Sequence, residues 1–464
     1  MILKIFNQYI PFRKLAFVSL ESLFIVGMVY FGAFLRFYWD SSTSIEYETI
    51  FLKALIIAAT AQLCLYYFDL YDLKIFKSNF ELTIRLLQSL GVASIILAFL
   101  YFLIPDLVIG RGVFFISLGF IAAIIILWRL LYNYLIKTRQ LDQRILIVGR
   151  GPLAQDIARM IAGREDSGFK VIGFISEDPE KISESMGAAS IIGIQSQILD
   201  LTQKEKVDRI IVALDDRRGK FPEAQLLACK LKGIEVIEGM KFFENLTGKL
   251  QVENLTPSFI IYSNSFIKSK LARGLKRATE FLVSSFGLLL FSPVLLMVPG
   301  LIKLEDGGPV FYKQERVGIN GKNFNLLKFR SMIQNAEADG PVWSQENDPR
   351  ITRIGRWVRK CRLDEVPQMI NVLKGEMSFI GPRPERPAFV EELRSKIPFY
   401  DLRICVRPGI TGWAQIRYPY GASEEDALEK LKYDLYYIKN WSFFFDALIL
   451  FETIKVVLFG KGAR

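Results

Sequence analysis

The sequence predicts a membrane α-helical bundle, then an α/β domain on a parallel sheet, then a mixed α/β domain carrying a re-entrant membrane helix. Three observations predict this. Apolar runs of bilayer length crowd the first part of the chain. A strand, glycine turn and helix pattern opens at Arg144. A fifth apolar run, Phe281 to Ile302, has basic residues on both flanks and a proline at its middle.

Composition fits this division. The 464 residues leave room for two or three domains. Hydrophobic residues make up 51% and mean hydropathy is +0.26, so a membrane-embedded portion is expected. A net charge of +11 suits anionic partners: lipid head groups, phosphorylated substrates or nucleic acid. The four cysteines, Cys64, Cys229, Cys361 and Cys405, are scattered, so no disulfide framework is expected. There is no histidine. Zinc is therefore not expected, and acid–base or nucleophilic chemistry must come from carboxylates, Lys, Tyr, Ser or Cys.

The first apolar run spans Leu15 to Phe37 and contains Glu21; others follow at Ile50–Tyr67, Leu86–Ile104 and Val113–Leu135. Each is near the length that crosses a bilayer. The first lacks the short core and small-residue cleavage site of a signal peptide, so it is expected to stay. Glu21 lies near the interface or faces the bundle, with a structural role favoured. Lys4, Arg13 and Lys14 precede the first helix, Lys74, Lys77 and Arg85 lie between the second and third, and Lys137, Arg139 and Arg144 follow the fourth. The alternate loops carry Asp40, Glu46 and Glu48, or Asp106 with Arg111. Basic residues on alternate loops place both ends of the bundle in the cytoplasm.

The fifth run is flanked by Lys268, Lys270, Arg273, Lys276 and Arg277 before it, and by Lys303, Lys313, Arg316, Lys322 and Lys328 after it. Both flanks look cytoplasmic, which a spanning helix cannot satisfy. Ser292-Pro293 supplies a break, because proline removes a backbone donor and serine can satisfy a freed carbonyl. A helix–break–helix that returns to the same face is expected; a proline-kinked fifth span is the alternative.

Between these segments, Arg144–Val148 predicts a buried strand, followed by Gly149-Arg150-Gly151-Pro152-Leu153-Ala154. This is the Gly-x-Gly-x-x-Ala form of a dinucleotide fingerprint, through Gly149, Gly151 and Ala154. Further strands are expected at Lys170–Ser176, ending at Glu177-Asp178, and at Val207–Leu214 and Ile234–Ile237, with helices between. A Rossmann-like domain over residues 141–262 follows. Its only tyrosine is Tyr262, and no Tyr-x-x-x-Lys pair is present. The domain is expected to be non-catalytic; binding an unidentified nucleotide and a purely structural role both stay open.

In the last third, Phe311–Gly318 and Phe324–Met332 predict two strands joined through Asn320-Gly321. Lys328 and Arg330, two apart, share a strand face and suit phosphate, or form a solvated basic strand. Asp348 to Arg362 predicts a basic amphipathic helix for an anionic membrane surface, or a surface helix with snorkelling arginines. Asp364 falls at a helix start just before Pro367, where amides, the helix dipole and arginines would hold it ionised. It either caps the helix or serves as a nucleophile toward phosphate. Glu365, adjacent on the helix, points elsewhere and needs a different role. In Gly381-Pro382-Arg383-Pro384-Glu385, two prolines limit the backbone around Arg383, a candidate phosphate clamp. Trp441–Phe459 is apolar but too interrupted to span, and is expected at the interface or against the core.

Taken together, Lys276-Arg277, Ser292-Pro293, Lys328-Phe329-Arg330-Ser331-Met332, Leu363-Asp364-Glu365-Val366-Pro367-Gln368, Gly381-Pro382-Arg383-Pro384 and Arg407-Pro408-Gly409-Ile410-Thr411-Gly412 resemble the bacterial polyprenyl-phosphate hexose-1-phosphate transferases in their large monotopic form. The likeness runs over essentially the whole chain. It implies a four-helix transmembrane domain over 1–140, the Rossmann-like domain over 141–262 and a monotopic phosphoglycosyl transferase domain over 263–464. It implies that Asp364 attacks the sugar-proximal phosphate of a UDP-sugar, releasing UMP, and that undecaprenyl phosphate then takes the phosphosugar. This would initiate exopolysaccharide or capsule repeat-unit synthesis at the bacterial inner membrane, with the soluble domains on the cytoplasmic face.

The resemblance further implies Mg2+ held near Asp364, Glu365 as the second carboxylate, Arg359 and Arg383 near the phosphates, and Asp434 as an acidic position of the substrate site. Glu280 departs from the family's more usual Asp but keeps the acid. Inner-membrane lipids and a homodimer are implied partners, and nucleic acid is not. Two other readings stay open: a membrane-anchored sugar-nucleotide dehydratase or epimerase using the Rossmann-like domain, and a non-enzymatic nucleotide-sensing regulator. The sugar is left unspecified.

Overall fold

A computed structural model of the chain describes residues 2–5, 8–39, 47–71, 79–137, 142–164, 167–187, 189–214, 221–255, 257–262, 268–334, 336, 348–419, 421 and 423–458. The loop residues Asp40, Glu46, Lys74, Lys77 and Arg139, and Phe459 at the end of the last apolar run, lie outside the described residues. After an N-terminal strand pair, β1 (Ile2–Ile5) and β2 (Gln8–Pro11), the described residues form two compact units that part between Gly239 and Met240.

The four apolar runs form four long helices: α1 (Phe12–Trp39), α2 (Tyr47–Tyr67), α3 (Asn79–Leu103) and α4 (Arg111–Lys137). Each is long and apolar enough to cross a membrane. Buried Ile25, Val29, Ala54, Leu65, Leu86 and Ile125 fill the bundle core, while Leu23, Phe34, Phe99 and Phe102 point outward, as lipid-facing residues should. Glu21 faces the bundle, and its partner is Arg129 of α4 at 2.9 Å, both fully buried. The Tyr71 hydroxyl donates to the other Glu21 oxygen at 2.5 Å. Arg129 also donates to the Leu70 carbonyl and lies over the Phe17 and Tyr71 rings. The one acid of α1 is thus a structural tie between the first and last helices.

The same unit contains a six-stranded sheet. Its strands are β3 (Gln143–Val148), β4 (Phe169–Ser176), β5 (Ser185–Met186), β6 (Ala189–Ile194), β7 (Arg209–Val212) and β8 (Glu235–Glu238), in the order β5-β6-β4-β3-β7-β8. All neighbours run parallel except β5 and β6. The connecting helices are α5 (Pro152–Ala162), α6 (Ile198–Lys204) and α7 (Glu223–Leu231). Central β3 ends in four fully buried residues, Ile145 to Val148, as a strand covered on both faces requires. Gly149 follows at φ +119°, and a Cβ there would stand 2.2 Å from the Ala213 carbonyl oxygen, so only glycine fits the turn into α5. Strand β6 was not expected from sequence, because two glycines flank and interrupt its short run.

α8 (Gly239–Thr247) opens at the last residue of the first unit and leads into the second, where α9 (Pro257–Tyr262) follows. The fifth apolar run becomes two helices, α10 (Lys270–Leu290) and α11 (Ser292–Asp306), bent by 57° at Phe291. Pro293 lies in the first turn of α11, where its missing N–H costs nothing. Then come β9 (Phe311–Val317) and β10 (Asn323–Phe329), an antiparallel hairpin whose turn places Asn320 and Gly321 at positive φ. The remaining elements are α12 (Arg353–Lys360), α13 (Gln368–Lys374), β11 (Ser378–Ile380), α14 (Pro387–Lys396), β12 (Gly409–Thr411), α15 (Trp413–Arg417), α16 (Glu424–Asn440) and α17 (Phe443–Leu458). β11 and β12 pair in parallel. The main core gathers Leu250, Ile380, Trp413, Tyr436, Phe445 and Ile449. α17 buries Phe445 and Ile449 in it and leaves Phe443, Phe444, Ile454 and Leu458 exposed. A smaller cluster of Val298, Ile302, Phe329 and Val358 joins α11, β10 and α12.

Candidate active site

Arg362 adopts a left-handed conformation (φ +57°) directly after α12. That conformation is uncommon for a residue with a side chain and sharply redirects the chain. A 3-10 turn, Leu363–Glu365, follows, and Pro367 then leads into α13. Asp364 therefore lies one turn before the helix, and no side-chain cap is formed there. Of the groups the sequence expectation set around this aspartate, the arginines are the ones beside it, and it does not cap the helix. Asp364 is only 8% exposed, and burial pushes its carboxyl above the ordinary aspartate range, with the Glu365 charge adding to the rise. Lys328, Arg359 and Arg362 pull in the other direction and are outweighed.

Glu365 meets the opposite balance. Burial would raise its pKa, but Lys328 and then Arg383 override it and hold the carboxyl down at about 2. Lys328, projecting from β10, donates to Glu365 Oε1 at 3.0 Å and stands 3.8 Å from Asp364 Oδ2. β10 is fixed from behind by Asn371 of α13. Asn371 Oδ1 accepts from the Leu327 amide at 3.0 Å, and Asn371 Nδ2 donates to the Asn325 carbonyl at 2.8 Å. The strand that carries the cation and the helix that follows the carboxylates are thereby locked together.

The arginines divide between two tasks. Arg359, in the last turn of α12, donates through Nε to Ser331 Oγ at 2.8 Å while lending its charge to Asp364. Close approach of α12 to that strand end depends on Gly355, whose Cβ would stand 2.0 Å from the Ser331 carbonyl oxygen. Arg383 follows β11, and its charge reaches Glu365. Arg330 ion-pairs with Asp306 at the end of α11. Lys328 and Arg330, expected to work as one cationic face, thus serve different partners. Asp434 is 2% exposed on α16, and burial pushes its carboxyl up to about 6 despite the Arg403 guanidinium 3.0 Å away.

Ser292 and Pro293 mark the start of α11, and the helix pair reaches the site through its ends. Lys276 of α10 donates to the Ile380 carbonyl at 3.2 Å, to Tyr437 at 2.8 Å and to Asp446 at 2.9 Å. Arg277 donates to the carbonyls of Val372 and Leu373, the last turn of α13, both at 2.5 Å. Glu280 bonds Ser378 at the start of β11. At the far end, Glu305 of α11 accepts from the Arg353 and Ile354 amides at 2.8 and 3.3 Å, capping α12. Sequence reasoning missed Tyr437, Arg403 and Asp306, none of which sits in a recognisable motif.

In the first unit, Gly149, Gly151 and Ala154 form the turn and first residues of α5 at the carboxyl end of β3, with Ala154 buried. Ser176 at the neighbouring strand end accepts from the Asp178 amide.

Among the described residues no group of three or more Cys, Asp or Glu side chains could hold a metal ion. Two adjacent carboxylates are present, one of them strongly engaged by lysine. That donor set fits Mg2+, which commonly uses one or two carboxylates together with substrate phosphates.

Two family models match the chain: "Bacterial sugar transferase" over residues 271–460 and "CoA-binding domain" over residues 66–220. A UDP-N-acetylgalactosamine-undecaprenyl-phosphate N-acetylgalactosaminephosphotransferase of Aeromonas hydrophila is 43% identical over 56% of this chain, which spans 61% of that protein's length. A UDP-glucose:undecaprenyl-phosphate glucose-1-phosphate transferase of Klebsiella pneumoniae is 33% identical over 69% of each chain. An uncharacterized sugar transferase of Haemophilus influenzae is 33% identical over 77% of this chain and 78% of its own.

Proposed function

Because the chain belongs to the bacterial sugar transferase family, we propose that it transfers a sugar 1-phosphate from a UDP-sugar to undecaprenyl phosphate, with Asp364 as nucleophile. The observation that carries this reading is the asymmetric carboxylate pair. Glu365 is held ionised by Lys328, while Asp364 is buried, less tightly paired and surrounded by Arg359 and Arg362. A carboxylate with a raised pKa is a stronger nucleophile once ionised, and nearby cations favour an approaching diphosphate.

In the first step an Asp364 carboxylate oxygen attacks the sugar-proximal phosphorus. The new O–P bond forms as the bond to the bridging oxygen breaks, and UMP leaves with that electron pair. In the second step an oxygen of undecaprenyl phosphate attacks the same phosphorus and the aspartyl–phosphate bond breaks. The carboxylate is regenerated and undecaprenyl-diphospho-sugar leaves. Arg359 and Arg383 bind the phosphates, and Lys328 holds Glu365 and screens the incoming charge. Mg2+, held by Asp364 together with the diphosphate, would supply neutralisation of phosphate charge.

We read the α10–α11 pair as re-entrant. Both of its ends dock on elements of one compact unit, α13 and β11 at one end and α12 with β10 at the other. Such a unit stays on one membrane face, which puts the site at head-group level where a lipid phosphate lies. In a cysteine-free background, Lys270→Cys and Lys303→Cys should both resist an impermeant thiol reagent applied outside the cell; labelling of either would contradict re-entrancy. The largely parallel sheet and its glycine turn support a Rossmann-like domain, and the lack of a Tyr-x-x-x-Lys pair in its sequence supports a non-catalytic one.

Membranes containing the protein should release UMP from at least one of UDP-glucose, UDP-galactose and UDP-N-acetylgalactosamine when undecaprenyl phosphate is present. Failure with all three and with other UDP-hexoses would overturn the donor assignment.

A further inference from the structure

We propose that Arg403 is a positioning residue of this reaction, fixing the backbone that presents Arg383, and that Asp434 acts through Arg403 rather than on the substrate; this rests on the reading that Arg383 binds donor phosphate. The loop from Pro382 to Glu385 has no regular structure, and its two prolines have no N–H to donate. Its geometry therefore depends on what its carbonyls accept. All four are held, by three elements: Pro382 by the Gly409 amide of β12 at 2.9 Å, Arg383 by Arg403 Nη2 at 2.9 Å, and Pro384 and Glu385 by Arg316 Nη1 and the Val317 amide of β9 at 2.9 and 3.0 Å. The bond at Arg383 itself is the one from Arg403.

Arg403 is in turn immobilised. Its Nη1 donates to the Tyr400 hydroxyl at 2.5 Å, and its guanidinium lies 5.1 Å from the Tyr400 ring centroid. Its Nη2 stands 3.0 Å from Asp434 Oδ2 in an ion pair. Asp434 and Tyr400 are each 2% exposed, so neither offers a face to a soluble donor. Asp434 sits in the most buried stretch of α16, between Tyr433 and Leu435. The chain of contacts runs from a rigid helix to a guanidinium to the carbonyl of the phosphate-binding arginine. An apolar replacement could fill the same space, but it would donate nothing to that carbonyl. Arg403 also lines the cleft beside the loop, with Arg383, Glu385, Val317, Ile404 and Val406.

The test uses the full-length protein and whichever UDP-sugar releases UMP. Arg403→Lys keeps a positive charge for Asp434 but lacks the fork that reaches tyrosine, carbonyl and carboxylate together. It should lower kcat/KM about tenfold or more, as misplacement of a binding group does. In an Arg383→Ala background the same change should cost less than about twofold, because the residue it positions is gone. Equal losses in both backgrounds would overturn the proposal. Hydrogen exchange without substrate gives a second readout. Arg403→Lys and Asp434→Asn should speed exchange at the Arg383 and Glu385 amides while protection in α13 and α16 stays at the wild-type level. Unchanged exchange at those amides would likewise overturn it. Asp364→Asn should leave loop exchange untouched, so UMP release persisting in that variant would count against the nucleophile alone.

Discussion

Lys328 is committed to Glu365: its ammonium stands 3.0 Å from the glutamate and 3.8 Å from the neighbouring Asp364. That difference splits two adjacent carboxylates into one held strongly ionised and one raised by burial. In the proposed mechanism only ionised Asp364 attacks, so kcat/KM should fall as pH drops, along a limb lying above the ordinary aspartate range. Glu365→Gln removes a charge that raises Asp364 and frees Lys328 to face it. The acid limb should then move to lower pH in that variant. A pH profile whose limb stays in place or moves upward would assign the titration to another group.

Breaking the membrane-bundle ion pair should cost far more than removing it whole. Arg129→Met leaves Glu21 buried without its cation and should destabilise the bundle by about 3–5 kcal/mol. Glu21→Leu combined with Arg129→Met should recover most of that loss. Thermal unfolding in detergent of the two single variants and the double variant measures both effects. A double variant no more stable than Arg129→Met would show that these residues are not principally each other's partners.

Gly149→Ala forces a side chain into a positive-φ position 2.2 Å from a backbone oxygen. It should destabilise the sheet by about 2 kcal/mol or more, read as faster proteolysis between α4 and α8. UMP release at a temperature where the variant stays folded should survive. Its loss there would favour chemistry in the sheet domain instead.

Burial raises Asp434 to about 6 in the folded protein. The folded state then binds this proton more tightly than the unfolded chain does. The corresponding stability is full below the unfolded aspartate pKa of about 3.9 and is lost as pH rises to about 6, a change on the order of 3 kcal/mol. Unfolding followed from pH 4 to 7 should show this decline in wild type and not in Asp434→Asn. Parallel curves for the two proteins would place the Asp434 pKa elsewhere.

The features legible in the sequence were those written locally. Four apolar runs became four helices, Asn320-Gly321 made its hairpin turn, and Gly149 made the turn after β3. The Asp364–Glu365 pair was also visible, because two adjacent carboxylates stand out in a chain without histidine; its partner Lys328, 37 positions away, was read only as a cation beside Arg330. What escaped was long-range pairing. Glu21 and Arg129 lie 108 positions apart, and only the coincidence of one acid in one span and one base in another could have joined them. Arg330 looked like a companion of Lys328 until Asp306 claimed it. Arg403 and Asp434 meet only because α16 folds beneath the Arg383 loop, and neither neighbourhood carries a signal for the other.

In the proposed mechanism Asp364 carries the sugar phosphate as an acyl phosphate between the two transfers. Membranes incubated with a UDP-sugar labelled at the sugar-proximal phosphate, with no undecaprenyl phosphate present, should yield a labelled peptide containing Asp364. Adding the lipid phosphate should chase that label into lipid, and Asp364→Asn should show neither label nor turnover. UMP formed only when lipid phosphate is present, with no label on protein at any time, would contradict the covalent route.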